Sequence, residues 1–390
     1  MRKGWEYKKL GEICSSDLGK TLNKSKDVGN MHPYLCAINI LWDSIDLTTL
    51  KEACFKDDEI DRYTVKYGDL LVCEGGDTGR AAIWDRKEPI LYQNALHRLR
   101  FKEDVDARFI MYNLWHKKQI GEIDHKYSKG VTILHLVKSA LLSIPILLPP
   151  LSTQLAIVSE LDKINELIRL KKEQLKDFDN LAQSLFYEMF GDPVENEKGW
   201  EVKKLGEICT DITDGDHMPP PKSESGIPFI TISDIDKDTR CLNFENTFYV
   251  PEDYYNNLKE NRKPQKGDLL YTVTGSYGIP VLVKTDKKFC FQRHIALLRP
   301  DKEILSAIFL CYWVLSDGVK FMADKVATGI AQKTVGLNSI RRFSCILPPL
   351  PLQRLFAQRI EQIEREKSEV QKSIQDLETL LASRMQYWFE

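Results

Sequence analysis

The chain has 390 residues, of which 43% are hydrophobic and 29% charged, and its net charge is −2. At about 150 residues per domain this length suits two to three domains, and the composition excludes wholly disordered and fibrous classes. A near-neutral balance also excludes a protein that coats nucleic acid through overall charge, so any such binding must use local patches or a partner.

The opening residues, Met1-Arg2-Lys3-Gly4-Trp5-Glu6, lack the apolar stretch of a secretory leader, and no run of about 18 apolar residues follows anywhere. A cytoplasmic protein with no membrane partner is therefore expected. The nine cysteines form no Cys-x-x-Cys pair, so free thiols are expected rather than a zinc site or a disulfide framework. Val65 to Trp84 reads as strand, Gly-rich turn and strand, and Phe109–His116 as a short buried helix. Pro149-Pro150 then ends a β-rich globule. From Thr153 to Phe190 there is no Gly or Pro, and Leu161, Ile164, Ile168, Leu175, Phe178, Leu185 and Met189 recur at heptad-like spacing. Gly191-Asp192-Pro193 stops that helix.

The whole unit then repeats. Gly4-Trp5-Glu6-Tyr7-Lys8-Lys9-Leu10-Gly11-Glu12-Ile13-Cys14 returns 195 residues later as Gly199 to Cys209, with only Tyr7/Val202 changed. Gly68-Asp69-Leu70-Leu71, Gln93, Gly130 and Leu148-Pro149-Pro150-Leu151 return at an offset of 199 as Gly267-Asp268-Leu269-Leu270, Gln292, Gly329 and Leu347-Pro348-Pro349-Leu350. Ile304–Leu315 reads as the second short buried helix. Ile360, Ile363, Val370, Ile374, Leu377 and Leu381 form the second long stripe. Such stripes need cover. The simplest is the other helix, packed antiparallel; the alternative is that each lies back on its own globule.

The pattern shows no catalytic constellation. Glu74-Gly75-Gly76-Asp77-Thr78-Gly79-Arg80 is followed by no Gly-Lys-Ser/Thr and reads as a hairpin turn rather than a phosphate loop. Asp211, Asp214, Asp216 and His217 fit no EF-hand or zinc spacing and read as a surface loop, with no metal site expected. No His-Glu-x-x-His or Ser/His/Asp motif is present, nor a methyltransferase's Asn/Asp-Pro-Pro-aromatic loop. Binding and scaffolding fit better than catalysis.

The sequence resembles the specificity subunits of type I restriction-modification enzymes. Four features carry the likeness: the repeated Gly-Trp-Glu-x-Lys-Lys-Leu-Gly-Glu-Ile, the Asp214-Gly215-Asp216-His217 … Gly226-Ile227-Pro228-Phe229-Ile230 stretch, the Gly-Asp-Leu-Leu strand with its Gly turn, and Leu-Pro-Pro-Leu-x-x-Gln before each helix. The first half departs at Asp17-Leu18-Gly19-Lys20-Thr21-Leu22, which has no His. The resemblance implies an α+β fold with pseudo-two-fold symmetry. Two β-rich mixed α/β target recognition domains, 1–148 and 191–347, are each followed by a long spacer helix, 149–190 and 348–390, and the helices form an antiparallel coiled coil. It implies a non-catalytic subunit that reads a split, asymmetric site on double-stranded DNA. The subunit would dock two methyltransferase subunits on its helices (Leu161, Ile168, Leu175, Phe178, Ile360, Ile363, Ile374, Leu377), with restriction subunits joining the full complex. S-adenosylmethionine, ATP and Mg2+ would belong to those partners. The rival readings are a stand-alone DNA methyltransferase or nuclease, and a purely structural coiled-coil protein.

Amide and guanidinium side chains make the bidentate base contacts, and cations hold phosphates. Gln93 and Asn94, with Gln292, Arg293 and His294 at the same repeat position, are the base-reading candidates. Lys129, Gln332 and Lys333 near the Gly130/Gly329 pair suit phosphates. Lys20, Thr21, Lys24, Lys26, Arg80, His217, Lys222, Ser276 and Tyr277 complete the candidate DNA-binding set, with core packing the stronger reading for Tyr277 and Tyr92. Gln154 and Gln353 are expected to cap the helices or bridge to the globules.

Overall fold

A computed structural model describes residues 4–23, 27–130, 134–217, 219–329 and 332–390. Two compact units divide the chain: residues 1–172 with 372–390, and residues 173–371.

In the first unit, Glu6–Lys9 pairs antiparallel with Pro145–Leu148 and so ties the start of the globule to its end. One four-stranded sheet runs Cys14–Leu18, Leu96–Phe101, Leu70–Cys73, Ala81–Ile83; a second runs Lys51–Phe55, Asn30–Leu35, Ile90–Tyr92, Thr64–Val65. The second unit repeats the plan. Glu201–Lys204 closes on Ser344–Leu347, and Cys209–Asp214, Ile295–Pro300, Leu269–Thr272 and Pro280–Leu282 form the four-stranded sheet. A smaller sheet runs Phe248–Val250, Ile227–Ile230, Cys290–Phe291. The short buried helices span Ala107–Gln119 and Ala307–Leu315, started by the Asp106 and Ser306 side chains, which accept from Phe109 N and Phe309 N.

The repeated Gly-Asp-Leu-Leu is explained by its first two residues. Gly68 and Gly267 sit at φ 85° and 95°, where a Cβ is strained. Asp69 then accepts from Lys66 N and takes Arg100 in a two-pronged ion pair at 2.7 and 2.9 Å; Asp268 accepts from Gln265 N and takes Arg299 at 2.9 and 2.8 Å. Both carboxylates are buried, and each is satisfied by a turn and a guanidinium that a lone buried charge would lack.

The long helices span Leu151–Phe190 and Leu350–Phe389, 40 residues each, or about 60 Å at 1.5 Å per residue. Both begin in the same way. Gln154 accepts from Asp106 N at 2.9 Å and donates to Asp104 O and Pro149 O; Gln353 accepts from Ser306 N at 2.8 Å and donates to Ile304 O and Pro348 O. Both glutamines are buried, so they cap and bridge as the sequence suggests.

Within each unit two helix segments run in opposite directions. In the first, Glu160 bonds Arg384 and Trp388, while Lys172 meets Glu378 at 2.7 Å. In the second, Asp179 meets Lys367 at 2.8 Å, and Phe186 and Phe190 pack on Phe356. Each stripe is covered by helix and by globule. Toward its end the first helix buries Ala182, Phe186 and Phe190 rather than Leu185 and Met189, which are half-buried.

One buried group distinguishes the units. His97 is fully buried and its Nε2 bonds Leu136 O at 2.9 Å, while Nδ1 has no partner among the described residues. Ala296 holds the equivalent place. Burial pushes the His97 imidazole below its usual range, and His116 shifts the same way, chiefly by burial and against the pull of Glu390. A base depressed in the fold contributes its full stability above the unfolded pKa of about 6.5 and loses it as pH falls below that value. Peptides of 96–116 are therefore expected to lose hydrogen-exchange protection between pH 7 and 5, and His97→Gln to flatten that slope. An equal slope in the variant would remove His97 as the cause.

Candidate nucleic-acid interface

Glycine lets four loops meet in each unit. A Cβ on Gly19 would lie 2.2 Å from the Gln93 carbonyl carbon, and one on Gly215 would lie 1.9 Å from Phe291 O. The segment after each first strand can therefore run directly against the Gln93–Ala95 or Gln292–His294 turn. In the first unit Lys20 N donates to Tyr92 O and Asn94 N to Lys20 O, at 3.1 and 2.8 Å. Glu74 N donates to Ala95 O, Leu136 N to Glu74 O, and Lys129 and His135 exchange both backbone bonds. The second unit reproduces this with Val273 N to His294 O, Val335 N to Val273 O, Gly275 N to Lys333 O, and Thr328 paired with Thr334. Segments far apart in sequence thus form one edge: 19–22, 74–79, 93–95, 128–130 and 134–136 in the first unit, and 215–217, 273–278, 292–294, 328–329 and 332–335 in the second.

Several candidate side chains stand on this edge without an internal partner. Gln93 and Gln292 are half-exposed, Arg293, Lys129, Gln332 and Lys333 are exposed, and none of their side chains is hydrogen-bonded among the described residues. His294 is half-exposed, and burial with the nearby Arg293 charge lowers its pKa. Thr21 and Ser276 are exposed but engaged, Thr21 by Asn94 Nδ2 at 3.1 Å and Ser276 by Lys237 Nζ at 3.1 Å. His217 meets Asp214 at 2.9 Å, and the Lys222 ammonium sits 5.0 Å above the Phe248 ring.

Other candidates are corrected. Lys20 is 6% exposed, bonded to Cys54 O and Glu59, and 3.7 Å from Asp27, so it offers nothing to a phosphate. Arg80 donates to Ala37 O and lies 3.8 Å from Asp77, with its Nε buried. Asn94 spends its amide on Thr21 and Ala95 N. Tyr277 packs on the core and donates to Asp324 at 2.5 Å, as the core-packing reading held. Lys24 and Lys26 lie outside the described residues. The docking stripe is also corrected. Leu161, Ile168, Ile360, Ile363 and Ile374 are buried within the units, and Leu175, Phe178 and Leu377 are half-buried. A second protein would meet other faces, where Leu155, Leu167 and Leu170 in the first unit and Leu181 and Leu355 in the second are exposed.

The acidic cluster is neutralised rather than poised for a cation. Arg299 lies 3.6 Å from Asp211, and Arg262 lies 3.5 Å from Asp214 and 3.9 Å from Asp216. Among the described residues no group of His, Cys, Asp and Glu could hold a metal ion, and no helix is long and apolar enough to cross a membrane. Lys20 and Asp216 occupy equivalent places, and the residue facing them differs: Glu59 takes Lys20 in an ion pair, whereas Tyr254, at the place equivalent to Glu59, donates its hydroxyl to Asp216 at 3.1 Å. Sequence reasoning missed His135, exposed beside Gly75 and Lys129, and Lys237, which reaches Ser276 from 39 residues away; neither stands in a motif.

Comparisons with known proteins agree on this architecture. A family model described as the type I restriction modification DNA specificity domain matches residues 2–177 and again 197–379. The type I restriction enzyme MjaVIII specificity subunit of Methanocaldococcus jannaschii is 23% identical over 97% of this chain and 92% of its own. The EcoBI specificity subunit of Escherichia coli is 24% identical over 80% of this chain and 70% of its own. Among solved structures, a chain from work on complex assembly and conformational transition of the type I R-M system superposes with TM-score 0.61 at 19% identity, covering 99% of this chain and 97% of that one. A type I restriction-modification S subunit from M. genitalium gives 0.52 at 14% identity, covering 99% and 96%.

Proposed function

Because the chain belongs to the type I restriction-modification DNA specificity family, we propose that its two loop edges each read one half of a split double-stranded DNA site. The observation that carries this is the twice-built edge, on which unpartnered amide, guanidinium and ammonium groups stand together. Gln93 reads bases in one half-site, and Gln292, Arg293 and His294 in the other, while Lys129 and Lys333 hold phosphates. The two turns differ in every residue except the glutamine, so the half-sites differ in sequence. The subunit itself transfers and cuts nothing. Methyltransferase subunits, which bring S-adenosylmethionine, dock on it, and restriction subunits bring ATP and Mg2+. The complex acts in the cytoplasm, where the DNA is.

Genome-wide methylation mapping with and without this chain tests the reading: a bipartite asymmetric motif should vanish with the chain. Turnover by the pure chain with DNA, S-adenosylmethionine and Mg2+ would favour a stand-alone enzyme instead. At residue level, Gln292→Ala, Arg293→Ala and His294→Ala should each relax one half-site, with a good bidentate contact worth ~1–3 kcal/mol of discrimination. Lys333→Ala should weaken binding evenly across sequences and flatten the salt dependence. Titration of cognate and random duplex separates the two effects, and equal losses on both would remove the base-reading assignment.

A further inference from the structure

The two units treat one place in the fold in opposite ways. In the first, between the buried helix Ala107–Gln119 and the start of the long helix, Trp42 stacks on Trp115 at 5.4 Å and Trp115 on Tyr112 at 6.0 Å. Arg108 bridges Asp43 and Asp162 at 2.9 and 2.7 Å, and the Tyr112 hydroxyl donates to Asp162. The equivalent residues of the second unit are Thr239 for Trp42, Arg240 for Asp43, Ile308 for Arg108, Leu315 for Trp115 and Glu361 for Asp162. The substitutions are matched by backbone: Asp43 and Arg240 are both non-glycine residues at positive φ, 58° and 53°. The smaller side chains leave a cavity of about 660 Å³ floored by Ile308, Leu315 and Ile360, within the roughly 300–1,000 Å³ of ligand sites. Tyr312, only 7% exposed, lines it, and its hydroxyl has no hydrogen bond among the described residues. Four cations, Arg240, Lys266, Lys284 and Arg365, line the cavity against two carboxylates, Glu361 and Glu364. Arg240 is tied to Asp179 and Lys284 to Glu364, whereas Lys266 and Arg365 are exposed and make no ion pair among the described residues.

We propose that this cavity is a docking socket for a segment of the methyltransferase partner that inserts an aromatic side chain beside a carboxylate. The sister unit shows what fits there, since its own chain fills the place with stacked indoles and an ion pair. The excess of cations selects an acidic segment, and the Tyr312 hydroxyl supplies a buried polar anchor of the kind that marks interface hot spots. In the first unit the indoles fill this place, and an open groove along Leu155, Asp162 and Leu167 remains on the helix beside them.

This inference rests on the proposed assembly with a methyltransferase subunit, and the experiment uses the full chain with that subunit. Leu315→Trp combined with Thr239→Trp copies the first unit's filling. It should keep the melting temperature and weaken the tighter of the two partner-binding events at least tenfold, toward the affinity of the other. Lys266→Glu with Arg365→Glu changes only exposed groups and should weaken binding as well, less so at high salt. If the wild-type chain binds no methyltransferase subunit, the function reading falls and the socket with it. If wild type binds and both variants bind equally well, the socket alone is overturned. Indole-3-acetate binding to wild type, with partner affinity unchanged in the filled variant, would make the cavity a small-molecule site and likewise overturn the proposal.

Discussion

Phe190→Ala is expected to destabilise the second unit and leave the first intact, although Phe190 ends the helix that the first globule leads into. Its ring is fully buried against Phe309 at 4.8 Å, Phe186 at 5.2 Å and Phe356 at 5.3 Å, all in the second unit. Truncating a buried phenylalanine costs about 3–5 kcal/mol, because the site collapses only partly around the lost ring. That is a large share of a domain's total of about 5–15 kcal/mol. Phe389→Ala makes the reciprocal case. Its ring sits 5.4 Å from Phe109 and 6.0 Å from His116, while Glu390 reaches His116 at 3.2 Å, so a change at the C-terminus should loosen the globule formed by the N-terminal residues. Hydrogen exchange resolved by peptide reads both. Faster exchange in 5–148 for Phe190→Ala, or in 201–347 for Phe389→Ala, would contradict the crossed assignment.

Replacing residues 1–148 with the first domain of another family member is expected to change one half-site completely and the other not at all. The pairing of Glu6–Lys9 with Pro145–Leu148 brings both ends of the graft to one place, so the graft carries its own closure. The incoming domain must still seat Phe389 and cap the helix at Gln154. It needs an aromatic residue at the Phe109 position and free backbone groups equivalent to Asp104 O and Asp106 N. Methylation mapping supplies the answer, and a change in both half-sites would show that the edges do not read independently.

The repeat, the strand–turn–strand of Val65–Trp84, the helix starts and the capping glutamines were all legible, because each rests on residues close in sequence. Gly68 and Asp69 act within one turn, and Gln154 acts four residues past Pro150. The core face of the first helix was legible up to Ile168 and then misread. Leu185/Met189 and Phe186/Phe190 are adjacent stripes of equal apolarity, and only the globule packed against them decides which is buried. The docking stripe failed for a related reason: a stripe that looks unpartnered in sequence is covered by segments some 200 residues away. The edge was legible in part. Gln93 and Gln292 stood out through the repeat, but the burial of Lys20 depends on Cys54 and Glu59, which no local pattern links to it.

The differing contacts of Lys20 and Asp216 constrain how such chains can be reshuffled over evolutionary time. Lys20 faces Glu59 in one unit, and at the equivalent places of the other Asp216 faces Tyr254. A recombination junction falling between the two members of the pair would join Lys20 to a tyrosine, or Asp216 to a glutamate. The first leaves Lys20, 6% exposed, without the Glu59 carboxylate and the second sets two carboxylates together, at a cost on the scale of breaking a buried pair, about 3–5 kcal/mol. Junctions outside that span carry no such penalty. Gene conversion between the halves should therefore leave crossovers in the shared Gly-Trp-Glu and Leu-Pro-Pro-Leu borders, and new specificities should spread as whole domains rather than as mosaics of loops.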